Sequence, residues 1–553
     1  MNTREKDKYA GVKHFFTYLD HAVKHNWQAS ALTDYDTGKK YSFGMMMERV
    51  EWLHCMMDSM GLRKGDRVVI CGNNCANWAV TALAVTVSRG VIVSMMEAFA
   101  PRDIEGMVRH SEARMLFMGN NVWTKLDIDK MDKVEAVVSI EDFSLLYGLT
   151  ESVTQGYSRT AERFAEAYSE GVSKENVCLP EIDLHELMMI NYTSGSTAEP
   201  KGVMLTHGNI SANVQYSQET IPNKAGWREI CMLPLAHMFG FTIEFLYQIC
   251  GGCHVYFLGR KPSPSILMKV YKEVRPYMIL TVPLVVEKIV RGKVMPALER
   301  PVVRWLWRMP LANRLVGRKI RKELLKAFGG ELQWLISGGA AINVDVERVM
   351  RKIRFPLVVG YGLTETGPLA CYAHWWDEKV GCCGKVVSRC ELRIASAKPN
   401  KVSGEVLIRG AHVMEGYYKN PSETARTIDD LGWFHTGDLG VLDKEGRLYI
   451  KGRIKTMILS SSGQNIYPEE IEAKLNNKPG VRESLVVKRG NKLVALVYAD
   501  EGLAEADKRS VMDENLRCLN EEVANYEKIA AIELVDKEFD KTPKMSIKRY
   551  LYY

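Results

Sequence analysis

The 553-residue sequence contains no long apolar run. The longest, WAVTALAVTV from Trp78 to Val87, falls well short of the roughly 20 residues a bilayer-spanning helix needs, so no transmembrane helix is expected. The first residues, MNTREKDKYAGVKHFF, are charged from the start and lack the apolar stretch of a secretory leader, so a cytoplasmic location is expected. Charge of one sign is also scarce: 74 basic against 67 acidic residues leave a formal +7. That excess is too small to mark a nucleic-acid partner, and none is expected, while anionic small molecules remain open as ligands. The 12 cysteines are scattered, and adjacent Cys382 and Cys383 have no companions at a metal-binding spacing. Free thiols in a reducing compartment are expected, with no disulfide framework and no zinc. Repeats and low-complexity tracts are missing too. What is present, 46% hydrophobic and 25% charged, is an ordinary globular composition with length for several domains.

Ser42 precedes Phe43, Met46, Met47, Val50, Leu53, Met57 and Met60, a helical spacing that predicts a capped amphipathic helix. A turn and strand at KGDRVVICG follow, then an apolar helix near Asn77 to Ser88, a strand at GVIVSM, a helix from Pro101 and a strand at RMLFM. This alternation predicts βαβ units and a parallel sheet. After a polar region from about 150 to 180, a second alternating series offers strands at LMMINY, HVYFL, YMILTV, LQWLI and FPLVVG. Beyond Gly452 the pattern changes to a proline-opened helix at PEEIEAKLNN, a hairpin at SLVVKRGNKLVALVYAD and a helix near 505 to 520. The fold expected is α/β: a large N-terminal domain of parallel-sheet βα subdomains, residues 1–452, and a smaller, mobile α+β domain, residues 453–553.

The stretch NYTSGSTAEPKGVMLTHGN gathers Thr193, Ser194, Gly195, Ser196, Thr197 and Lys201 directly after the apolar strand LMMINY. Parallel-sheet proteins bring ligands to the carboxyl ends of strands. Glycine permits close backbone approach, hydroxyls donate to anionic oxygens and the Lys201 ammonium adds a charge-assisted bond, a set matched to phosphates. A Walker A loop is excluded, since GxxxxGK[ST] fails at Pro200. A solvated Ser/Thr/Gly connection is the plain alternative for the loop taken alone.

The loop resembles the YTSGTTGxPKG signature of the adenylate-forming superfamily, which includes acyl-CoA synthetases, luciferases and peptide-synthetase adenylation domains. Ala198 stands at the second glycine, which reduces backbone freedom without removing the phosphate-facing groups. Further segments follow in the family's order. LPLAHMFGF is similar to the LPxxH segment, implying that His237 lines the pocket around the carboxylate, although a histidine in an apolar run is by itself more often a core residue. LISGGAAI and VVGYGLTETGP resemble the adenine-site segments. They imply that Gly338, Gly339 and Ala340 lie against the base, that Tyr361 stacks on it beside Gly362, and that Thr364 approaches the α-phosphate. Glu365 matches the Mg²⁺ carboxylate, and magnesium usually takes one or two carboxylates plus phosphate oxygens. WFHTGDLG resembles WxxTGD, implying that Asp438 accepts hydrogen bonds from the ribose hydroxyls. KGRIKTMILSSSGQNIYPEEIE resembles the domain junction: Arg453 on ribose or phosphate, Lys455 as hinge, and Ser461 to Gln464, with Ser462 and Gly463 between them, facing nucleotide or coenzyme A.

The resemblance implies ATP, Mg²⁺ and coenzyme A as reactants and cofactors. An acid's carboxylate attacks the α-phosphorus, pyrophosphate leaves, and a thiol then displaces AMP, with the C-terminal domain pivoting between the two halves. The ending FDKTPKMSIKRYLYY departs from the family's PKTPxGKIxR, because Ser546 occupies the position of the adenylation lysine and Met545 that of its glycine. Lys544 and Lys548 flank it at two residues on either side, which in an extended segment puts them on its face about 7 Å away. Either Lys544 or Lys548 is expected to substitute, or else adenylation is weak and thioester formation survives.

The segment VVRWLWRMPLANRLVGRKIRKELLKAF carries eight Lys or Arg against Glu323, with Trp305 and Trp307 interleaved. A solvated face is the default for such a run, but basic residues beside tryptophans also suit anionic lipid headgroups. Long-chain acyl-CoA synthetases resemble this chain in carrying a basic helical insertion here. The expectation is therefore a medium- to long-chain fatty acid as substrate, with peripheral contact at the inner membrane surface through residues 303–326. A fatty acyl-AMP ligase loading a carrier protein, an aryl-CoA ligase and a non-catalytic nucleotide- or acyl-binding relative are the alternatives.

Overall fold

The computed structural model describes residues 7–193, 200–260, 262–309, 312–459, 464–490, 492–541 and 547–552. It divides into two compact units, Met1–Glu391 with Arg409–Gly432, and Leu392–Ile408 with Trp433–Tyr553.

Two parallel sheets build the first unit. In one, strands Leu187–Thr193, Val91–Met95, Arg67–Cys71, Met115–Met118 and Ala136–Ser139 lie side by side in parallel. Antiparallel strands Lys201–Thr206 and Leu145–Gly148 flank them. These central strands are buried on both faces and read as continuous apolar runs, as parallel sheets do. The second sheet runs Leu357–Val359, Trp334–Ser337, Met278–Thr281, Arg228–Cys231, His254–Phe257, Ser30–Asp34 and Lys40–Ser42, parallel except for the last strand.

Every candidate strand named from the sequence is present. Ser42 caps the helix Phe43–Ser59 by accepting from the Met45 N–H, and that helix buries Met46, Met47, Val50, Leu53 and Met57 as its spacing predicts. The run WAVTALAVTV belongs to the helix Ala76–Val87, in which every residue is buried, so its all-round apolarity serves a protein interior. Among the described residues no helix is long and apolar enough to cross a membrane. The polar region near 150–180 holds two helices, Glu151–Ser158 and Thr160–Ala167, which bury only Val153, Gly156 and Thr160 and so present almost no apolar stripe to the sequence.

In the second unit, strands Cys390–Ala395, Gly404–Gly410, Phe434–Leu442 and Leu448–Arg453 form a four-stranded sheet. The hairpin Val481–Arg489 with Lys492–Ala499 gains Ala531–Val535 as a parallel third strand. Helices Pro468–Leu475 and Glu505–Glu522 cover one face of it, packing Ile471, Leu475, Met512 and Leu519 against Val486, Ala495 and Val497. Leu485, Val487, Val494 and Leu496, on the opposite face by strand alternation, pack with Phe539. The compact units do not divide at 452/453. The strand Leu448–Arg453 runs through that position, and Asp438 pairs with Arg453 in its antiparallel ladder, so residues 433–452 group with the C-terminal part.

Candidate functional site

The hydroxyl-rich stretch joins two antiparallel strands. Thr193, the last residue of Leu187–Thr193, pairs with Lys201, the first of Lys201–Thr206. Ser194, Gly195, Ser196 and Thr197 lie outside the described residues. GVML, to which the sequence assigns no element, lies in a strand whose partner is the strand before the hydroxyl-rich stretch. Lys201 is placed at the sheet's carboxyl end, where its ammonium pairs with Glu423 and stands 5.3 Å from the centroid of the Tyr417 ring.

Glu365 sits in a short 3-10 turn, Thr364–Thr366, which is fixed from several sides. The Leu363 N–H donates to Thr366 Oγ1 at 3.0 Å, and that hydroxyl in turn donates to the Pro368 carbonyl at 2.8 Å. Asn213, on the buried helix His207–Thr220, donates to the Thr366 carbonyl at 3.1 Å and accepts from the Leu369 N–H at 2.9 Å. The Met414 N–H holds the Glu365 carbonyl at 2.9 Å, and the Tyr417 hydroxyl donates to Glu365 Oε1 at 3.0 Å. Burial, reinforced by the Glu365 charge, pushes the Tyr417 phenol far above its ordinary value, so it keeps its proton and remains a donor. Thr364 is buried in the same turn. Tyr361 and Gly362 pair with Leu369–Tyr372, and a Cβ on Gly362 would lie 1.9 Å from the Pro368 carbonyl oxygen, so only glycine fits there.

The segment LPLAHMFG bridges the other two motifs of this unit. Asn191, two residues before Thr193, donates to the Ala236 carbonyl at 2.7 Å and so ties the residue before His237 to the strand Leu187–Thr193. His237 Nδ1 accepts from the Phe239 N–H at 3.2 Å, which leaves the ring proton of the neutral form on Nε2 as a donor. Phe239 in turn lies against Gly338, where a Cβ would meet its ring at 3.2 Å. Gly338 to Ala340 follow the strand Trp334–Ser337, and Gly360 to Thr364 follow the adjacent parallel strand Leu357–Val359, so both segments leave the same sheet edge side by side. Gly339 and Ala340 are exposed. Past His237 and Phe239 the chain enters the π-helix Gly240–Leu246, whose Thr242 hydroxyl reaches the Gly367 carbonyl at 3.3 Å. Four sequence motifs thus converge within one unit.

In the second unit the register places Asp438 opposite Arg453, with Nε 3.0 Å from Oδ1. Asp438 is buried and Arg453 exposed. Lys455 is exposed in the turn that follows, whose Ile454 N–H donates to the Gly437 carbonyl at 2.9 Å. Gln464 is exposed, while Ser462, Gly463 and Lys544 lie outside the described residues. An antiparallel bridge joins Lys541 to Ile547, and the chain turns at Lys548 (φ −76°, ψ 73°) into the 3-10 turn Arg549–Leu551. Lys544 and Ser546 lie outside the described residues, while Lys548 is in a turn conformation, its N–H donating to the Asp540 carbonyl at 2.8 Å at the foot of the bridge.

Sequence reasoning missed Asn213, Tyr417 and Glu423. Asn209 and Asn213 carried a signal, since two asparagines four apart share one face of a helix whose interior they do not favour. Tyr417 lies in no motif named from the sequence. Also missed was a buried acid pair. Both oxygens of Glu229 and one of Glu244 find no partner among the described residues, while Glu244 Oε2 accepts from the Leu233 N–H at 2.9 Å. Burial pushes both carboxyls well above the usual range, and the Glu244 charge adds to the effect on Glu229. The spacing Cys250-Gly-Gly-Cys253 was overlooked as well. Both thiols are free and buried, and burial raises both, Cys253 to about 12.

The donor set fits magnesium bound together with a nucleotide. Among the described residues no group of three or more His, Cys, Asp or Glu forms a cage. Glu365 is a single half-buried carboxylate in the same unit as the Lys201 ammonium, and Mg²⁺ is commonly held by one or two carboxylates with substrate phosphates supplying the rest.

Comparison with known proteins gives the same frame. Residues 19–418 match the model of the AMP-binding enzyme family, and residues 455–553 that of the AMP-binding enzyme C-terminal domain. A long-chain-fatty-acid–CoA ligase of Bacillus subtilis is 28% identical over 498 residues, covering 85% of this chain and 83% of the relative. A chloroplastic long-chain-fatty-acid–[acyl-carrier-protein] ligase of Arabidopsis thaliana is 26% identical over 538 residues, covering 83% and 72%. The crystal structure of ATP-bound MatB from Rhodopseudomonas palustris superposes with a TM-score of 0.77 at 22% identity, covering 97% of each chain. With four motifs converging in one unit and the family models matched over most of its length, this chain belongs to the AMP-binding enzymes, the adenylate-forming acid–thiol ligases.

Proposed function

We propose that this protein activates a medium- to long-chain fatty acid with ATP and transfers the acyl group to coenzyme A. A carboxylate oxygen bonds to the α-phosphorus as the bond to pyrophosphate breaks, giving an acyl-adenylate. The thiol sulfur, having lost its proton, then bonds to the acyl carbon as AMP leaves. The observation that carries this reading is the meeting of the phosphate-loop strand, LPLAH, SGGA and GYGLTETGP segments at the carboxyl edges of parallel strands, through Asn191, Phe239 and Thr242.

Roles follow from chemistry. Thr193 and Lys201, with the hydroxyls of Ser194, Ser196 and Thr197, hold the departing pyrophosphate. His237 Nε2–H donates toward the acid's carboxylate. Gly338 to Ala340 and Tyr361 take the base, Thr364 the α-phosphate, and Asp438 with Arg453 the ribose. Glu365 would hold Mg²⁺, which when bound neutralises charge on the phosphate oxygens. Lys455, exposed just past a strand end, serves as the hinge between the half-reactions, in line with the general placement of hinges at element ends. Residues 303–326 supply a basic face for anionic lipid.

The decisive experiment is a panel of carboxylic acids with ATP and Mg²⁺, with and without coenzyme A, reading AMP release. Release that needs both a C8–C18 acid and coenzyme A is expected. Release that proceeds with a carrier protein but not with coenzyme A reassigns the acceptor, and release with aryl acids alone reassigns the acid. No release with any acid ends the reading.

A further inference from the structure

Two groups of opposite charge serve the phosphate end of the first unit's site, Lys201 and Glu365, and one side chain touches both. Tyr417 donates its hydroxyl to Glu365 Oε1 at 3.0 Å, and its ring carries Lys201 Nζ 5.3 Å from the centroid. Its backbone is anchored to the strand that bears Lys201: Gly416–Tyr417 pairs with Lys201–Thr206, with Tyr417 opposite Val203. The Tyr417 N–H also donates to Thr424 Oγ1 at 2.9 Å, in the helix Pro421–Thr427, and that helix supplies Glu423, the partner of Lys201. Tyr417 is 7% exposed, so little solvent competes for these contacts.

A lone carboxylate that meets a metal alongside phosphate oxygens has no protein cage to orient it. Its rotation about the last side-chain bond must be set by a hydrogen-bond donor on one oxygen, leaving the other turned outward. Outer-shell donors of this kind are typically worth 10- to 100-fold in metal affinity. A cation over an aromatic face is held laterally without losing its hydrogen-bonding protons. Both effects act here through one phenol.

We propose that Tyr417 is the positioning residue of this site, fixing Glu365 for a divalent cation through its hydroxyl and Lys201 for phosphate through its ring. The role rests on the proposed function above, and the two effects separate by substitution. Tyr417→Phe removes the hydroxyl and keeps the ring; Tyr417→Leu removes both.

The test measures ATP binding by calorimetry in EDTA and at graded Mg²⁺, pyrophosphate exchange at graded Mg²⁺, and thermal unfolding. For Tyr417→Phe, the Mg²⁺ concentration giving half-maximal exchange is expected to rise about tenfold. Its ATP affinity in EDTA is expected to stay within about twofold of wild type, with exchange recovering at high Mg²⁺. For Tyr417→Leu, affinity in EDTA is also expected to fall several-fold. An unchanged Mg²⁺ requirement in Tyr417→Phe overturns the proposal. So does an equal loss of binding with and without metal, which marks a packing role only. Wild-type protein that binds no ATP under either condition overturns the proposed function itself, and the role of Tyr417 with it.

Discussion

Arg453 Nε lies 3.0 Å from Asp438 Oδ1 across an antiparallel ladder in which the two residues are direct partners. Two motifs fifteen residues apart are thereby made one element of chemistry: a buried carboxylate and an exposed guanidinium. Because Arg453 is largely in water, the pair adds little to stability, and the role proposed for the carboxylate is to accept from the ribose hydroxyls. Asp438→Asn is expected to lower ATP affinity about tenfold, about 1.4 kcal/mol, while unfolding free energy changes by less than about 1 kcal/mol. Calorimetry and urea denaturation check both. Wild-type affinity in this variant would remove Asp438 from the nucleotide site.

The buried carboxyls Glu229 and Glu244 set a pH dependence of a particular sign. Their folded-state values are raised, so above pH 4.5 the unfolded chain ionises them while the folded chain keeps them protonated. Their contribution to stability is full below that pH and declines as pH rises toward the folded values. Glu229→Gln, which cannot ionise, is expected to gain on wild type by up to about 1.4 kcal/mol per pH unit through this window. Urea unfolding of both proteins from pH 5 to 8 measures the gap. A gap that stays constant with pH contradicts the raised ionisation.

The end of the chain distinguishes two lysines. Lys548 stands at the foot of the Lys541–Ile547 bridge with its N–H bound to Asp540, whereas Lys544 belongs to the five residues between the bridged pair. Lys544→Ala is expected to cut ATP–pyrophosphate exchange by at least about tenfold, the usual scale of a lost charge-assisted contact. Lys548→Ala is expected to change it less than about twofold. Both variants keep thioester formation from a supplied acyl-adenylate. Unchanged exchange in each single variant and in the double variant rules out lysine substitution at the Ser546 position.

Motifs carried by contiguous residues were legible because their chemistry and their local structure coincide. GYGLTETGP follows an apolar strand, TGD lies within the strand Phe434–Leu442 and KGR closes the strand Leu448–Arg453, so the sequence marks Glu365, Asp438 and Arg453 as candidates. What supports those residues was not legible. Asn213 reaches the turn around Glu365 from 153 residues away in sequence, and Tyr417 reaches Glu365 from 52 away. No local periodicity reports such contacts, because they are created by sheet order. The strand Lys201–Thr206 was hidden for a related reason. It begins inside a motif rich in turn residues, and its pairing partner is the strand on the other side of that motif. The compact units divide ahead of the composition change near Gly452, because that change falls at the end of a strand whose ladder reaches back to Asp438.

The basic segment separates its two tryptophans. Trp305 is 62% exposed, beside Val302 at 70%, whereas Trp307 packs against the core cluster with Lys352 Nζ 4.1 Å from its ring. Leu315 on the next helix is 67% exposed, and Arg318, Arg321, Lys322 and Lys326 line a groove on the same helix. Two consecutive helices thus expose an indole and aliphatic groups together with a row of cations, a combination suited to the boundary between headgroups and acyl chains. Each cation near an anionic surface contributes about 1 kcal/mol at low salt, and the attraction falls off within a Debye length. Pelleting with phosphatidylserine-containing vesicles is therefore expected at low ionic strength and to be lost by about 0.5 M salt. Trp305→Ala is expected to weaken it several-fold without changing thermal stability, whereas Trp307→Ala is expected to lower stability by about 2 to 4 kcal/mol with pelleting per folded molecule retained. Equal loss of pelleting in both variants, or binding indifferent to salt, contradicts a membrane role for this face.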